Sequence, residues 1–150
     1  MTTAFIYQDN LSRHSLGAAH PMKPYRLRYT YELLKALQAF ENPGSLLVPG
    51  RKATAKEILS FHSSEYVDAV ATADSGDLQP DFNKFNLGSS DNPTYQGIYH
   101  AALLSTGATM KAVDLILNRS IESAFSISGG LHHAMPHYAS GFCIFNDPVI

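Results

Sequence analysis

Short apolar segments alternate with longer segments of helical periodicity, and this order constrains the fold more than any other feature of the chain. Strands are predicted at residues 4–7, 45–48 and 124–128, with helical segments between them. Strands that alternate with helices favour an α/β fold with a parallel sheet. Ligands bind such sheets at the carboxyl ends of the strands. The loop that follows residue 128 is therefore the first candidate site.

The first helices have recognisable boundaries. A helix is predicted from Tyr25, after a segment in which two prolines forbid helix, to just before Asn42. Thr54 and Glu57 form a capping-box pattern that begins a short helix. A further small helix is expected at residues 65–71.

A long loop precedes the longest predicted helix. Residues 74–92 are rich in Gly, Ser, Asp, Asn and Pro, and a loop of this length in a compact domain is usually functional. Asp91 or Asn92 is expected to cap the helix, with Pro93 in its first turn. An apolar stripe then continues to Leu117.

Composition excludes several classes of function. The 150 residues carry 11 basic and 13 acidic side chains, so no patch for nucleic acid or anionic lipid is indicated. No apolar run approaches the roughly 20 residues that span a bilayer, and the first residues lack the features of a signal peptide. Cys143 is the one cysteine and forms no internal disulfide. These features predict one soluble, cytoplasmic domain with no membrane or nucleic-acid partner.

The loop at residues 129–147 contains the densest group of chemically useful side chains. His132 and His133 are adjacent, and His137 follows four residues later. Neighbouring side chains on extended backbone point to opposite faces, so such a pair seldom binds one ion. A histidine titrates near neutral pH, and the pair could transfer a proton to and from a shared substrate. Spacing alone leaves open the alternative of two polar loop histidines.

Four ordered motifs resemble those of the zinc-dependent deacetylases of the histone deacetylase and acetoin-utilisation family. They are Gly130-Leu131-His132-His133-Ala134 with Ser140-Gly141-Phe142-Cys143 and Asn146-Asp147, His20-Pro21-Met22-Lys23-Pro24-Tyr25-Arg26, Phe61-His62-Ser63-Ser64-Glu65-Tyr66, and Phe85-Asn86-Leu87-Gly88 to Asp91-Asn92-Pro93. The resemblance implies the arginase-deacetylase fold, a three-layer α/β structure with a parallel sheet and helices on both faces. It also implies that residues 1–150 form the N-terminal part of a single deacetylase domain, incomplete at the C-terminal end.

The resemblance implies a role for each matched residue. His132 would stabilise charge that develops on the reacting oxygen, and His133 would act as general base and then general acid. The substrate would be an acetylated lysine peptide or a small acetylated amine such as an acetylpolyamine.

Four further residues would contact the substrate. Asp91 would accept hydrogen bonds from its backbone, Phe142 would line the tunnel for the acyl-lysine stem, and Gly130 would line the site. Arg26 would lie near an inner cavity that releases acetate. Their structural alternatives are a helix cap for Asp91, a surface ion pair for Arg26 and a core position for Phe142.

Zinc is the cofactor that the resemblance implies for the complete enzymes. The family's metal ligands would lie beyond Ile150, so no metal ligand is predicted in this segment, which is expected to bind no zinc and to be inactive alone. A homodimer or larger homo-oligomer is expected, with an interface at residues 124–128 or 142–150. The alternative functions are an inactive module that self-associates or binds acylated ligands, and a cysteine hydrolase that uses Cys143.

Overall fold

The computed structural model describes residues 1–77 and 80–150. Within these residues, three strands and four α-helices follow one another in the chain. They are β1 (Thr3–Ile6), α1 (Tyr25–Ala36), β2 (Ser45–Val48), α2 (Ala55–Ile58), α3 (Ser64–Thr72), α4 (Ile98–Leu117) and β3 (Ser123–Ser126). None of the helices so described is both long and apolar enough to cross a membrane.

The three strands form one parallel sheet in the order β2-β1-β3. Phe5 at the centre of β1 stands opposite Leu47 of β2 and Phe125 of β3. The predicted parallel sheet is confirmed. β3 ends two residues earlier than predicted, because Gly129 donates its N–H to the Ser126 carbonyl and turns the chain away.

Helices cover both faces of this sheet, as expected for the three-layer fold. Ala4 and Ile6 of β1 pack on one face against Ala108 and Ala112 of α4. The alternate residues Phe5 and Tyr7 pack on the other face with a cluster that includes Leu27 of α1. The period of two along β1 therefore divides its side chains between two helical layers.

Local signals place the short helices correctly. The Thr54 hydroxyl accepts from the Glu57 backbone N–H, and the Glu57 carboxylate accepts from the Thr54 N–H at 2.6 Å, so the predicted capping box is confirmed. α3 begins after Ser63, whose hydroxyl accepts from the Tyr66 N–H.

The predicted start of the long helix is wrong. α4 begins at Ile98, five residues after Pro93, and neither Asp91 nor Asn92 caps it. The carboxylate of Asp74 instead accepts from the backbone N–H groups of Tyr99 and His100, at 2.8 and 3.3 Å. The side chain of Asn92 is buried and accepts a hydrogen bond from the Phe142 N–H, in the loop that follows β3. A carboxylate 25 residues away thus satisfies the first turn.

The predicted loop at residues 74–92 is irregular apart from two short 3-10 segments, Ala73–Ser75 and Pro80–Phe85. Residues 78 and 79 of that prediction lie outside the described residues. Phe82, Phe85 and Leu87 are buried against α3 and α4, so the C-terminal part of this loop contributes to the core.

Candidate functional site

The loop after β3 is anchored by the buried carboxylate of Asp147. Its Oδ1 accepts from the Leu131 backbone N–H at 2.7 Å. Its Oδ2 accepts from the Gly130 N–H at 2.9 Å and from the Thr109 hydroxyl of α4 at 2.6 Å. Charge-assisted bonds to backbone N–H groups are stronger than neutral ones. The backbone immediately before the histidine pair is therefore tied to α4.

The neighbouring amide of Asn146 holds the same loop from its other side. Its Nδ2 donates to the carbonyls of His132 and Ala134, at 3.2 and 2.8 Å. The sequence Asn146-Asp147-Pro148 has the pattern of a helix start. The Asn146 carbonyl does accept from the Val149 and Ile150 N–H groups in one turn, but both side chains point back to the histidine loop.

These anchors place the rings of His132 and His133 side by side. Their centroids lie 4.1 Å apart and their planes are inclined by 49°. The loop thus brings the two rings together, although the residues are adjacent in the chain. His132 Nδ1 lies 3.0 Å from the Gly130 carbonyl, so a proton on Nδ1 leaves Nε2 free. Both residues are exposed.

Phe142 is held in an unusual backbone conformation next to this pair. Its φ is +69°, which non-glycine residues rarely adopt. Its N–H donates to the side-chain oxygen of buried Asn92 at 3.0 Å, and its ring meets the His20 ring edge-on at 4.7 Å. His20 Nε2 in turn lies 3.2 Å from the Asp91 carbonyl. This chain of contacts joins the predicted residues Phe142 and Asp91.

Two small cavities extend beneath the loop. Asp91 and Phe142 line the first, with a volume of about 40 Å³. Arg26 lines the second, of about 30 Å³. Leu131, His14, Met22 and Ser105 line both. The structure thus brings Asp91 and Phe142 together and places Arg26 at the neighbouring cavity, whereas His132, His133 and Gly130 line neither.

Burial changes the acid–base properties of two groups near these cavities. It lowers the pKa of His14, whose ring stacks on Tyr95 at 5.6 Å. It raises the pKa of the Cys143 thiol, which donates to the Gly141 carbonyl. Cys143 is 4% exposed. A buried thiol with a raised pKa is a poor nucleophile, which disfavours the cysteine-hydrolase alternative.

The described ranges, 1–77 and 80–150, contain no group of three His, Cys, Asp or Glu side chains arranged to hold a metal ion. Asp147 is occupied by three hydrogen bonds, and the histidine rings lie beside each other without a carboxylate ligand between them. These residues do not fit a tetrahedral zinc site.

Sequence reasoning missed the residues that support the loop. His62 was noted only as part of a motif, yet its ring bonds both to residue 135 and to residue 146. Asp147 was likewise noted only as part of a motif. The sequence did offer one signal for this support, because the polar side chains of Asn146 and Asp147 are adjacent at the end of a histidine-rich loop.

Comparisons of the sequence with known proteins point to one family. The family described as Histone deacetylase domain matches residues 20–150. The acetoin utilization protein AcuC of Bacillus subtilis is 34% identical over 149 residues, and the histone deacetylase RPD3 of Saccharomyces cerevisiae is 31% identical over 150 residues. The match covers 99% and 98% of this chain, but only 38% and 34% of those relatives.

Solved structures show the same relationship. A histone deacetylase homologue from Aquifex aeolicus superposes with a TM-score of 0.86 at 28% identity, covering 99% of this chain and 39% of the other. A homologue complexed with SAHA gives a TM-score of 0.87 with the same identity and coverage. By sequence and by fold, this chain belongs to the histone deacetylase domain family.

Proposed function

We propose that this chain supplies the proton-transfer and substrate-contacting part of a deacetylase that hydrolyses acetylated amines. The observation that carries the proposal is the pair of rings, His132 and His133, held 4.1 Å apart at the carboxyl end of a parallel strand. Buried Asn146 and Asp147 fix the backbone on both sides of that pair. Fixed, adjacent imidazoles suit a reaction in which a proton is first taken up and then returned.

The two histidines have different roles in this proposal. His133 takes a proton from the attacking water and passes it to the amine that leaves. His132 stabilises charge on the reacting oxygen, with Nδ1 turned to the Gly130 carbonyl and Nε2 directed away from it. The absence of a side chain at Gly141 leaves room for the His133 ring, since a Cβ there would lie 2.9 Å from it.

The proposed substrate is an acetylated lysine peptide or a small acetylated amine. The exposed carboxylate of Asp91 would accept peptide N–H groups, and Phe142 would pack on the aliphatic stem. Gly130 would line the site through its backbone, and Arg26 would attract a carboxylate such as acetate at the second cavity. One structural relative was solved in complex with SAHA, which supports the proposal that proteins of this fold bind a small ligand.

Zinc is proposed only for the complete enzymes of the family, and the described residues of this chain do not fit it. No step of the reaction is therefore assigned to a metal. That the 150-residue chain binds no zinc stays a prediction. Metal analysis of the purified chain tests it, and one tightly bound zinc per chain would refute it. A cytoplasmic location is likewise proposed, from the single cysteine.

A hybrid protein tests the proposed function. Residues 1–150 replace the matching 38% of Bacillus subtilis AcuC, and acetate release from an acetyl-lysine peptide and from an N-acetylated diamine is measured. His133→Ala is expected to lower the turnover of the hybrid at least 100-fold with little change in KM. The reason is that proton transfer contributes in the transition state. His137→Ala, in an exposed residue of the same loop, is the matched control. A folded, active hybrid that is insensitive to His133→Ala would overturn the assignment.

A second candidate is a module that binds acylated ligands or associates with itself without catalysis. It is favoured by the cavity beside Phe142 and by Phe125, which is 57% exposed on β3. Titration of the 150-residue chain with acetyl-lysine peptide, followed by NMR, distinguishes the candidates. Binding without turnover in either the chain or the hybrid would favour this module.

A further inference from the structure

His62 joins the corner between α2 and α3 to two distant points of the histidine loop. Its side chain is 2% exposed. Nδ1 lies 3.1 Å from the Met135 carbonyl, and Nε2 lies 3.0 Å from the backbone nitrogen of Asn146. The adjacent Ser63 N–H donates to the Pro136 carbonyl at 2.9 Å. The corner therefore holds both the middle and the end of the loop.

Only one protonation state of His62 satisfies both partners. The Met135 carbonyl accepts, so Nδ1 must carry a proton. The Asn146 N–H donates, so Nε2 must offer its lone pair. An imidazolium would place two N–H groups against each other at Nε2. The bonds seen in the structure thus require the neutral ring with its proton on Nδ1.

The Asn146 backbone that His62 holds is directly connected to the catalytic pair. The side chain of the same residue donates to the His132 and Ala134 carbonyls. A displacement of the Asn146 backbone would therefore move the carbonyl of His132 and the peptide that precedes His133.

The surroundings of His62 favour its neutral form. Burial lowers its pKa most strongly, the Met135 and Pro136 carbonyls oppose this, and His137 lowers the pKa further. The rings of Phe61, Tyr66 and Phe145 pack around it at 4.9–5.4 Å. Tyr66 remains neutral because burial raises its pKa.

We propose that His62 is a positioning residue, whose neutral ring holds the histidine loop in the arrangement needed by His132 and His133. Protonation of His62 breaks its bond to Asn146 and releases that end of the loop. Since its pKa is lowered in the fold, the stabilisation is complete above the ordinary value of about 6.5 and is lost as the pH falls through the lower folded value. The inference rests on the proposed function only for its catalytic consequence.

Long-range proton–nitrogen NMR of the ¹⁵N-labelled 150-residue chain tests this without turnover. At pH 7.5 the His62 ring should show the tautomer with the proton on Nδ1. On acidification, the backbone signals of His132 and His133 should show a step with the midpoint of His62. A proton on Nε2, or the absence of that shared step, would overturn the proposal.

Two substitutions separate positioning from simple structural support. His62→Gln keeps a donor and an acceptor but does not titrate, so the shared step should disappear while thermal unfolding shows a folded chain. His62→Phe keeps the ring shape without either bond and should shift the His132 and His133 signals even at pH 7.5. His14→Gln, which removes a half-buried histidine outside this loop, should leave the step in place. Persistence of the step in His62→Gln would refute the proposal, even if His62→Phe fails to fold.

Discussion

Gly141 lies directly against the ring of His133. A Cβ atom on Gly141 would lie 2.9 Å from both Cγ and Cδ2 of that ring, and the φ of Gly141 is +51°. Carbon atoms at this separation overlap, so the position tolerates no side chain without a shift of the ring. The backbone of the Gly141-Phe142 turn thus forms one wall of the histidine site.

Gly141→Ala is therefore expected to displace the His133 ring and to reduce turnover in the hybrid by at least tenfold. Overlap should also lower the free energy of unfolding by about 1–3 kcal/mol. Gly17→Ala is the control, since Gly17 also has a positive φ, +104°, but nothing lies within 4 Å of its added Cβ. Gly17→Ala should leave the His133 NMR signals unchanged. If Gly141→Ala also leaves them unchanged, Gly141 does not form a wall of the histidine site.

Sequence patterns predicted those parts of the fold that depend on near neighbours. The strands followed from short apolar segments, and the capping box joins Thr54 to Glu57, only three residues away. The start of α4 could not be predicted in this way, because the carboxylate that accepts from its first-turn N–H groups belongs to the distant residue Asp74. Pro93 misleadingly indicated a helix start five residues before the one in the structure.

The candidate site also has a part that the sequence predicts and a part that depends on long-range contacts. His132 and His133 were predicted as site residues from their motif, but spacing could not show that the loop brings their rings together. Their support comes from His62, which bonds to a residue 84 positions later, and from Asp147, which bonds back to Gly130 over 17 positions. Such contacts become visible only when the fold brings the segments together.

Asp147→Asn should loosen the loop before the histidine pair. The carboxylate accepts three hydrogen bonds, two of them from backbone N–H groups that cannot become acceptors. An amide must turn its NH₂ toward at least one of these N–H groups. The expected loss in the free energy of unfolding is about 1–3 kcal/mol.

Urea denaturation measures this loss, with Asp68→Asn on the exposed side of α3 as the control. Asp68→Asn should change stability by less than about 0.5 kcal/mol. Equal stability of the two variants would show that Asp147 does not anchor the loop.

Glu57 gives the fold a stabilising contribution that depends on pH. The hydrogen-bonded Arg51 guanidinium, opposed by partial burial and assisted by Thr54, lowers the pKa of Glu57 to about 2. Because the folded pKa is lowered, the contribution is complete above the ordinary value near 4.5 and is lost as the pH falls through about 2. Glu57→Gln should therefore cost about 1 kcal/mol at pH 7 and almost nothing near pH 2.

Urea denaturation at several pH values checks this dependence. Glu32→Gln is the matched control, because Glu32 forms an exposed ion pair with Arg28 one turn away in α1. Its cost at pH 7 should not exceed about 0.5 kcal/mol. A constant cost for Glu57→Gln across the pH range would contradict the assigned ion pair.

The edge strand β3 is expected to mediate self-association of the 150-residue chain. Among the described residues, β3 pairs with β1 alone, so the backbone groups on its other side are available to another strand. Phe125 of β3 stacks on Phe5 at 5.8 Å but remains 57% exposed. An open edge beside an exposed aromatic ring favours pairing with a second copy.

Sedimentation should accordingly show dimers or larger species at micromolar concentration. Phe125→Lys should shift the population to monomer, since a charge on an edge strand opposes pairing, whereas Leu33→Lys, at an exposed position of α1, should not. A folded monomer of the unsubstituted chain at that concentration would refute the association, and dissociation by Leu33→Lys alone would move the interface from β3 to α1.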